Sequence, residues 1–435
     1  MGIGILKKLN TMMPDSIKNL FAPFIRKGLI DNRIFVNQYD ALIQADSLSE
    51  ESREELRDAY LKDTLIHAYE HTVYYRNLFD NLGFDVYNFS HPEQLSIVPL
   101  LTRKDIIEHF EELQSDDITD YYENITGGST GTPLKLNLSK ESIFRERAFV
   151  YHFFNRYGYD YKKSKVASFR GTNFNGKNVR ANPLYKEIQL NPCNISNGTI
   201  HEYYDAIKRF GANYLHGFPS AIYSFCKYAD TNNLKVRGMF NAAFCVSENL
   251  YDFQKQYIEN ILECPCTSFY GHTERNAFAE MNEIGLYNFN NLYGYHELSK
   301  DNEIVSTGFL NKKMPLIRYV VDDTAIQAGK GYRITGHRDG FLYGRNGELL
   351  SGASLEVHSN LIDRIMSYQL VQKEKGRLIV MYIPNKDFSH NDKEALRQLF
   401  QNKVGTALDI HVEEVDKMIL TKANKFKLII QEVSN

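Results

Sequence analysis

Between residues 165 and 270 the chain alternates short apolar runs with segments of helical period, and this alternation narrows the choice of fold more than any other stretch. Residues 166–169, 213–216, 239–246 and 267–270 read as strands. Residues 199–210, 220–228 and 250–261 read as helices, the first opened by a capping-box pattern of Thr199 and Glu202. Strands separated by helices predict an α/β fold with a mainly parallel sheet. Ligands of such sheets bind beyond the carboxyl ends of the strands. Three polar clusters fall there: His216-Gly-Phe-Pro-Ser220, Ser247-Glu248 and Tyr270-Gly-His-Thr-Glu274.

Upstream lies Thr126-Gly-Gly-Ser-Thr-Gly-Thr-Pro133, in which seven of eight residues are Gly, Ser or Thr. Glycines let successive N–H groups converge on one point, and hydroxyls add donors, so the loop suits a polyphosphate. No Gly-Lys-Ser/Thr follows Gly131, which excludes a Walker loop and an ordinary P-loop kinase. Residues 121–125 read as extended. Leu134, Leu136 and Leu138 alternate, so the loop links two strands. A plain Gly/Ser-rich hairpin turn accounts for the stretch equally well.

Around this centre the chain supplies helices and a second set of strands. Ser47-Leu-Ser-Glu50 reads as a capping box for a helix to about His71, and Thr102-Arg-Lys-Asp105 as another helix start. Ser139 reads as the cap of a helix to about Tyr157, and the aromatic run 151–161 as packing on its apolar face. Short strands are expected at 293–298, 303–307, 315–325 and 332–335. Beyond Gly336-His-Arg-Asp-Gly340 come strands at 378–383, 410–415 and 426–430, with a helix at 392–400.

The 435 residues suffice for two or three domains, and a net charge of −3 does not favour nucleic acid as a partner. Five widely spaced cysteines argue against a disulfide framework and for a reducing, cytosolic compartment. Cys264-Pro-Cys266 reads as two free thiols beside a strand rather than half of a metal site. Residues 1–27 mix Lys7, Lys8, Lys18, Arg26 and Lys27 with apolar side chains and are broken by Pro14 and Pro23. They read either as an arm packed on the protein or as a peripheral contact with anionic membrane.

Taken in order, the Gly-rich loop, Ser247-Glu248, Ser268-Phe-Tyr-Gly-His-Thr-Glu274, Pro315-Leu-Ile-Arg-Tyr319 with Asp322-Asp323, Gly336-His-Arg338 and Thr421-Lys-Ala-Asn-Lys425 resemble the adenylate-forming ligases. The resemblance is to their phenylacetate–CoA ligase and capsule-biosynthesis CapK branch. His67-Ala-Tyr-Glu-His-Thr-Val-Tyr-Tyr-Arg76 and Val98-Pro-Leu-Leu-Thr-Arg-Lys-Asp105 look like the same branch, so it covers nearly the whole chain.

The resemblance implies an N-terminal adenylation domain over residues 1–335: a helical segment 1–115, an α/β core 116–280 and a β subdomain 281–335. A small, mobile α+β domain would occupy 336–435. It implies ATP and Mg²⁺, formation of an acyl-adenylate from a small-molecule carboxylic acid, transfer to coenzyme A, and a homodimer. Thr126, Gly127, Gly128, Ser129, Thr130, Gly131 and Thr132 would hold the β- and γ-phosphates. Thr273 would touch the α-phosphate, and Glu274 would bind Mg²⁺, a hard ion that prefers oxygen. Tyr270, Gly271, Ser247 and Glu248 would flank the adenine, and Asp323 would take the ribose hydroxyls. Arg338 would stand in the hinge, and Lys425 would neutralise charge at the α-phosphate. Departures from the family pattern fall at Gly127, Asp322, His337 and Asn424. Two other readings stay open: acyl transfer to a sugar or lipid-linked glycan without coenzyme A, and a degenerate nucleotide-binding protein of the same fold.

Overall fold

The computed structural model describes residues 26, 28, 30–125, 134–170, 174, 176–337, 341–345, 349–351, 355, 359, 361–421 and 426–433. The chain divides into two compact units. One holds residues 1–161 and 269–334, the other 162–268 and 335–435.

In the first unit the chain opens with α1 (Arg33–Ala45), α2 (Glu50–His71), α3 (Val73–Leu82) and α4 (Arg103–Glu108). Asn32 caps α1 by accepting from the Phe35 N–H, and α1 buries Phe35, Leu42 and Ala45 along one face. Full burial of a side chain such as Phe35 contributes about 1.5–3 kcal/mol. The cap of α2 is Ser49, which accepts from Ser52 N, and not Ser47, whose hydroxyl donates back to the Gln44 carbonyl. Thr102 and Asp105 form the expected capping box of α4.

The next strands, β1 (Tyr121–Ile125) and β2 (Lys135–Ser139), pair antiparallel from Tyr121↔Ser139 to Ile125↔Lys135. This is the hairpin expected around the Gly-rich loop. Helix α5 (Lys140–Asn155) follows directly, and Ser139 makes no side-chain cap bond. The aromatic run packs as expected: Tyr151 and Tyr161 lie against Phe35, with ring centroids 5.8 and 4.9 Å away.

The second unit supplies β3 (Val166–Phe169), β4 (Val179–Asn182), β5 (Glu187–Leu190), α6 (Ile200–Phe210), β6 (Tyr214–Gly217), α7 (Pro219–Thr231), β7 (Ala242–Cys245), α8 (Asp252–Leu262) and the start of β8 (Cys266–Gly271). The order here is β8-β7-β6-β3-β5-β4, parallel except for β4, as the alternation predicts. The core between sheet and helices includes Phe169, Ile200, Tyr203, Leu215, Phe225, Ile258 and Leu262. Thr199 precedes α6 but forms no capping box. Its hydroxyl donates to the Asn194 carbonyl, and Glu202 accepts from Asn178. Strands β4 and β5 were not expected.

The chain then returns to the first unit with β9 (Phe278–Met281), β10 (Tyr287–Phe289), β11 (Gly294–Leu298), β12 (Glu303–Gly308), β13 (Tyr319–Ala328) and β14 (Gly331–His337). They follow the order β11-β12-β13-β14-β10-β9, and the described ladders are antiparallel. Strand β13 starts at Tyr319, later than the expected residue 315.

Residues 335–435 form β15 (Phe341–Tyr343), β16 (Leu349–Ser351), β17 (Ile365–Gln372), β18 (Arg377–Pro384), α9 (His390–Val404), β19 (Asp409–Glu414) and β20 (Ile429–Gln431). The four-stranded sheet runs β19-β18-β17-β20 and packs on α9 through Tyr368, Leu396 and Phe400. Within the same unit Phe253 lies 5.5 Å from Tyr368, centroid to centroid. The cysteines are free thiols, with Cys264 and Cys266 buried. Among the described residues no helix is long and apolar enough to cross a membrane.

Candidate active site

The strongest concentration of expected site residues follows the end of β8, in the turn that carries the chain into β9. Tyr270 is the penultimate residue of β8, and its hydroxyl donates to Asp323 Oδ2 on β13 at 2.7 Å. Burial, reinforced by the Asp323 carboxylate, holds the Tyr270 phenol well above its ordinary range, so it stays a donor. Tyr270 and Asp323, fifty-three residues apart in sequence, are therefore one hydrogen-bonded unit.

Two residues on, His272 Nδ1 lies 2.8 Å from Glu274 Oε2. Both side chains are nearly buried, at 11 % and 10 % exposure. Burial pushes the His272 pKa down, but the Glu274 carboxylate more than offsets it and the net shift is upward. Burial likewise pushes Glu274 up, and His272, with a smaller effect from the Arg103 guanidinium, brings it below the ordinary carboxylate range. These opposite shifts favour an imidazolium donating to a carboxylate. His272 Nε2 is buried and has no hydrogen-bond partner among the described residues.

The turn is held from below. Arg275, in the left-handed region at φ 55°, donates to Glu146 Oε2 and Ser142 Oγ, each at 2.7 Å. Asn276 donates to Ser306 O and accepts from Gly308 N. A Cβ on Gly308 would overlap Asn276 Oδ1 and stand 2.8 Å from Asn276 Cα, so glycine is required there. At Gly271 the opposite holds. A Cβ would meet nothing closer than 3.7 Å, so packing does not demand the exposed glycine.

Arg318, in the Pro315–Tyr319 motif, forms a bidentate pair with Glu297 and donates to the carbonyls of Leu95 and Val98. Leu101 N donates to Arg318 O, and the Tyr75 hydroxyl accepts from Ile317 N. The two N-terminal blocks, residues 67–76 and 98–105, thus brace the strand that carries Asp323.

In the second unit Ser247 adopts φ 67° just past β7. Both carboxylate oxygens of Glu248 are engaged by backbone: Oε2 accepts from Ser220 N at 3.2 Å and Oε1 from Phe426 N at 2.6 Å. The described candidates therefore fall into two groups. Tyr270, Gly271, Thr273, Glu274 and Asp323 lie in the first unit, Ser247 and Glu248 in the second. Thr126–Thr132, Arg338, Lys425 and residues 1–25 and 27 lie outside the described residues. His272 and Arg103 were not singled out from sequence. The signal for His272 was its place inside the Tyr270–Glu274 motif, and for Arg103 its place inside Thr102–Asp105.

Glu274 offers a hard carboxylate oxygen, oriented by His272, of the kind that suits Mg²⁺, and half-buried Thr273 precedes it in the sequence.

Comparison with known proteins gives the following similarities. Residues 342–432 match the family described as CapK C-terminal domain. Protein CapK of Staphylococcus aureus is 23% identical over 359 residues, covering 77% of this chain and 80% of that protein. Among solved structures, 2-hydroxyisobutyryl-CoA ligase in the postadenylation state with R3-HIB-AMP matches with a TM-score of 0.68 at 13% identity, covering 88% of this chain and 90% of that one. An anthranilate CoA ligase in complex with anthranoyl-AMP gives 0.52 at 14% identity, covering 71% and 66%. Residues 342–432 are therefore similar to the CapK C-terminal domain, the chain as a whole is similar to Protein CapK, and its fold is that of the solved 2-hydroxyisobutyryl- and anthranilate-CoA ligases.

Proposed function

We propose that this protein activates a small carboxylic acid with ATP and passes the acyl group to coenzyme A. The observation that carries the reading is the buried motif after β8, where Tyr270 is bonded to Asp323 and His272 to Glu274. A carboxylate oxygen of the acid attacks the α-phosphorus of ATP, the bond to the β-phosphate breaks, and pyrophosphate leaves. The coenzyme A thiol then attacks the acyl carbon and AMP departs. Such displacements need positioning and charge neutralisation rather than a protein nucleophile.

Asp323 accepts from the ribose hydroxyls while Tyr270 fixes its carboxylate. Tyr270 and Gly271 flank the adenine. The absence of a side chain at Gly271, which packing does not require, leaves that backbone edge to a flat base. Thr273 donates to the α-phosphate, and Thr126–Thr132 hold the β- and γ-phosphates. Glu274 and Thr273 would hold Mg²⁺, which would neutralise charge on the phosphates. His272 keeps Glu274 ionised and aimed. Lys425 brings a cation to the α-phosphate during adenylation, and residues 336–435 move as a small domain about the hinge at Arg338.

The test is acid-dependent exchange of labelled pyrophosphate into ATP across a panel of aryl, fatty, amino and sugar acids. Glu274→Gln should lower exchange by orders of magnitude. Wild-type exchange rates in that variant would overturn the assignment. A second acceptor, a sugar or lipid-linked glycan, is the alternative that the sequence resemblance leaves open. Acyl transfer from preformed acyl-adenylate without coenzyme A would establish that one.

A further inference from the structure

We propose that His67, His71 and Asp117 form a binding site for one divalent transition-metal ion of the zinc type, separate from the nucleotide site. The two histidines lie one helical turn apart near the end of α2, so their rings share a face, with centroids 5.0 Å apart. Each ring already has one nitrogen assigned. His67 Nε2 lies 2.9 Å from the Lys312 carbonyl, which can only accept, so Nε2 carries the proton and Nδ1 keeps its lone pair. His71 Nδ1 lies 2.9 Å from Asp116 Oδ1, an acceptor, so His71 Nε2 keeps its lone pair.

Those two lone-pair nitrogens face a single atom. His67 Nδ1 is 3.9 Å and His71 Nε2 3.8 Å from Asp117 Oδ2. Both separations are too long for a hydrogen bond. The other oxygen, Asp117 Oδ1, accepts from the Ser115 hydroxyl, which leaves Oδ2 to point at the histidines. The three ligating atoms lie within 4.8 Å of one another. A tetrahedral ion with bonds of about 2.0–2.2 Å holds its ligand atoms about 3.3–3.5 Å apart, so the two histidine–carboxylate separations need contract by only about half an ångström.

The surroundings fit the same chemistry. Metal-binding histidines almost always donate their second nitrogen to a carbonyl or carboxylate, and here one does each. Two imidazoles and one carboxylate suit zinc better than magnesium or calcium, and leave a fourth position for water. The site would be a clamp. It would join the end of α2 to residues 115–117, which also bond through Ser115 N to Lys313 O and through Asp116 N to His71 O. That segment leads into β1 and the hairpin that carries the Gly-rich loop.

The experiment uses tag-free, full-length protein, stripped with EDTA, dialysed and titrated with ZnCl₂ against a chromophoric competitor. His71 and Asp117 are partly exposed, so their variants test ligation without emptying a core position. We expect one ion per wild-type chain, bound at least about 100-fold more weakly by His71→Ala and by Asp117→Ala. Asp116→Asn, which removes only the partner of His71, should cost about 10–100-fold. Co²⁺ should give visible tetrahedral bands with wild type and not with His71→Ala. The His71→Ala/Asp117→Ala double variant reports zinc taken by cysteines and other groups. Wild-type affinity no greater than that baseline overturns the proposal. So does loss of the same ion in Glu274→Gln, which would place it at the nucleotide site.

Discussion

Replacing Glu274 by Gln should change the stability of the fold in a way that depends on pH. In the folded protein the His272 pKa is raised above its ordinary 6.5, so its contribution is complete below pH 6.5 and lost as pH rises through the folded value. Glu274 is depressed below 4.5, so its contribution is present above pH 4.5 and lost as pH falls through the folded value. Both contributions are complete between those limits. A hydrogen bond between charged partners contributes about 1.5–3 kcal/mol, and at near-complete burial solvent screens it little. In Glu274→Gln the imidazole loses the carboxylate that most favoured its charged form, only Asp323 and Glu146 are left to oppose burial, and its pKa falls. Wild type should therefore exceed the variant by about 1.5–3 kcal/mol near pH 6. As pH rises toward 9 through the folded value of His272, the wild-type ring loses its charge, a neutral imidazole is left donating to the buried carboxylate, and the gap should shrink. Urea unfolding followed by circular dichroism across that range measures both values. A gap that is constant with pH would refute the reasoning, because His272 would then not titrate with Glu274.

Other consequences are as direct. Lys425→Ala should lose most acid-dependent pyrophosphate exchange, roughly a hundred- to thousandfold, yet acylate the acceptor from preformed acyl-adenylate at near wild-type rate. Lys422→Ala and Lys427→Ala serve as controls, and equal slowing of both half-reactions by Lys425→Ala would contradict the domain-movement reading. Gly308→Ala should destabilise by about 1–3 kcal/mol in thermal or urea unfolding, since the new methyl group meets Asn276 Oδ1 and Cα inside a close-packed turn. An unchanged midpoint would show that the turn can yield.

Much of the parallel sheet was legible because its signals are local. Strand β3 is a short, fully buried run with three apolar residues of four, and Thr102 with Asp105 forms a cap within four residues. The hidden strands lack such signals. Strand β4 is half-exposed and carries an Arg and an Asn in four residues. Strand β17 is central, yet it buries Gln369 and Gln372. Gln369 belongs there because its amide donates to the carbonyls of Ile419 and Lys427, partners fifty and fifty-eight residues away. Ser47 and Ser49 both suit a cap, and only backbone geometry selects Ser49. In the site, Tyr270 and Asp323 were each visible within a motif, but not their bond, because no spacing rule links positions on different strands. His67 and His71 lie inside the block 67–76 but were not read as a pair, and Asp117 joins them only through the fold.

Glu248 accepts the backbone N–H of Phe426, the residue that follows Lys425 in the sequence. Because the donor belongs to the main chain, nineteen of the twenty residue types at position 426 can offer it, and only proline cannot. The tether is therefore largely indifferent to mutation on one side and wholly dependent on the carboxylate at the other. Position 426 can therefore change while this anchor persists, and its loss falls on a single codon, that of Glu248.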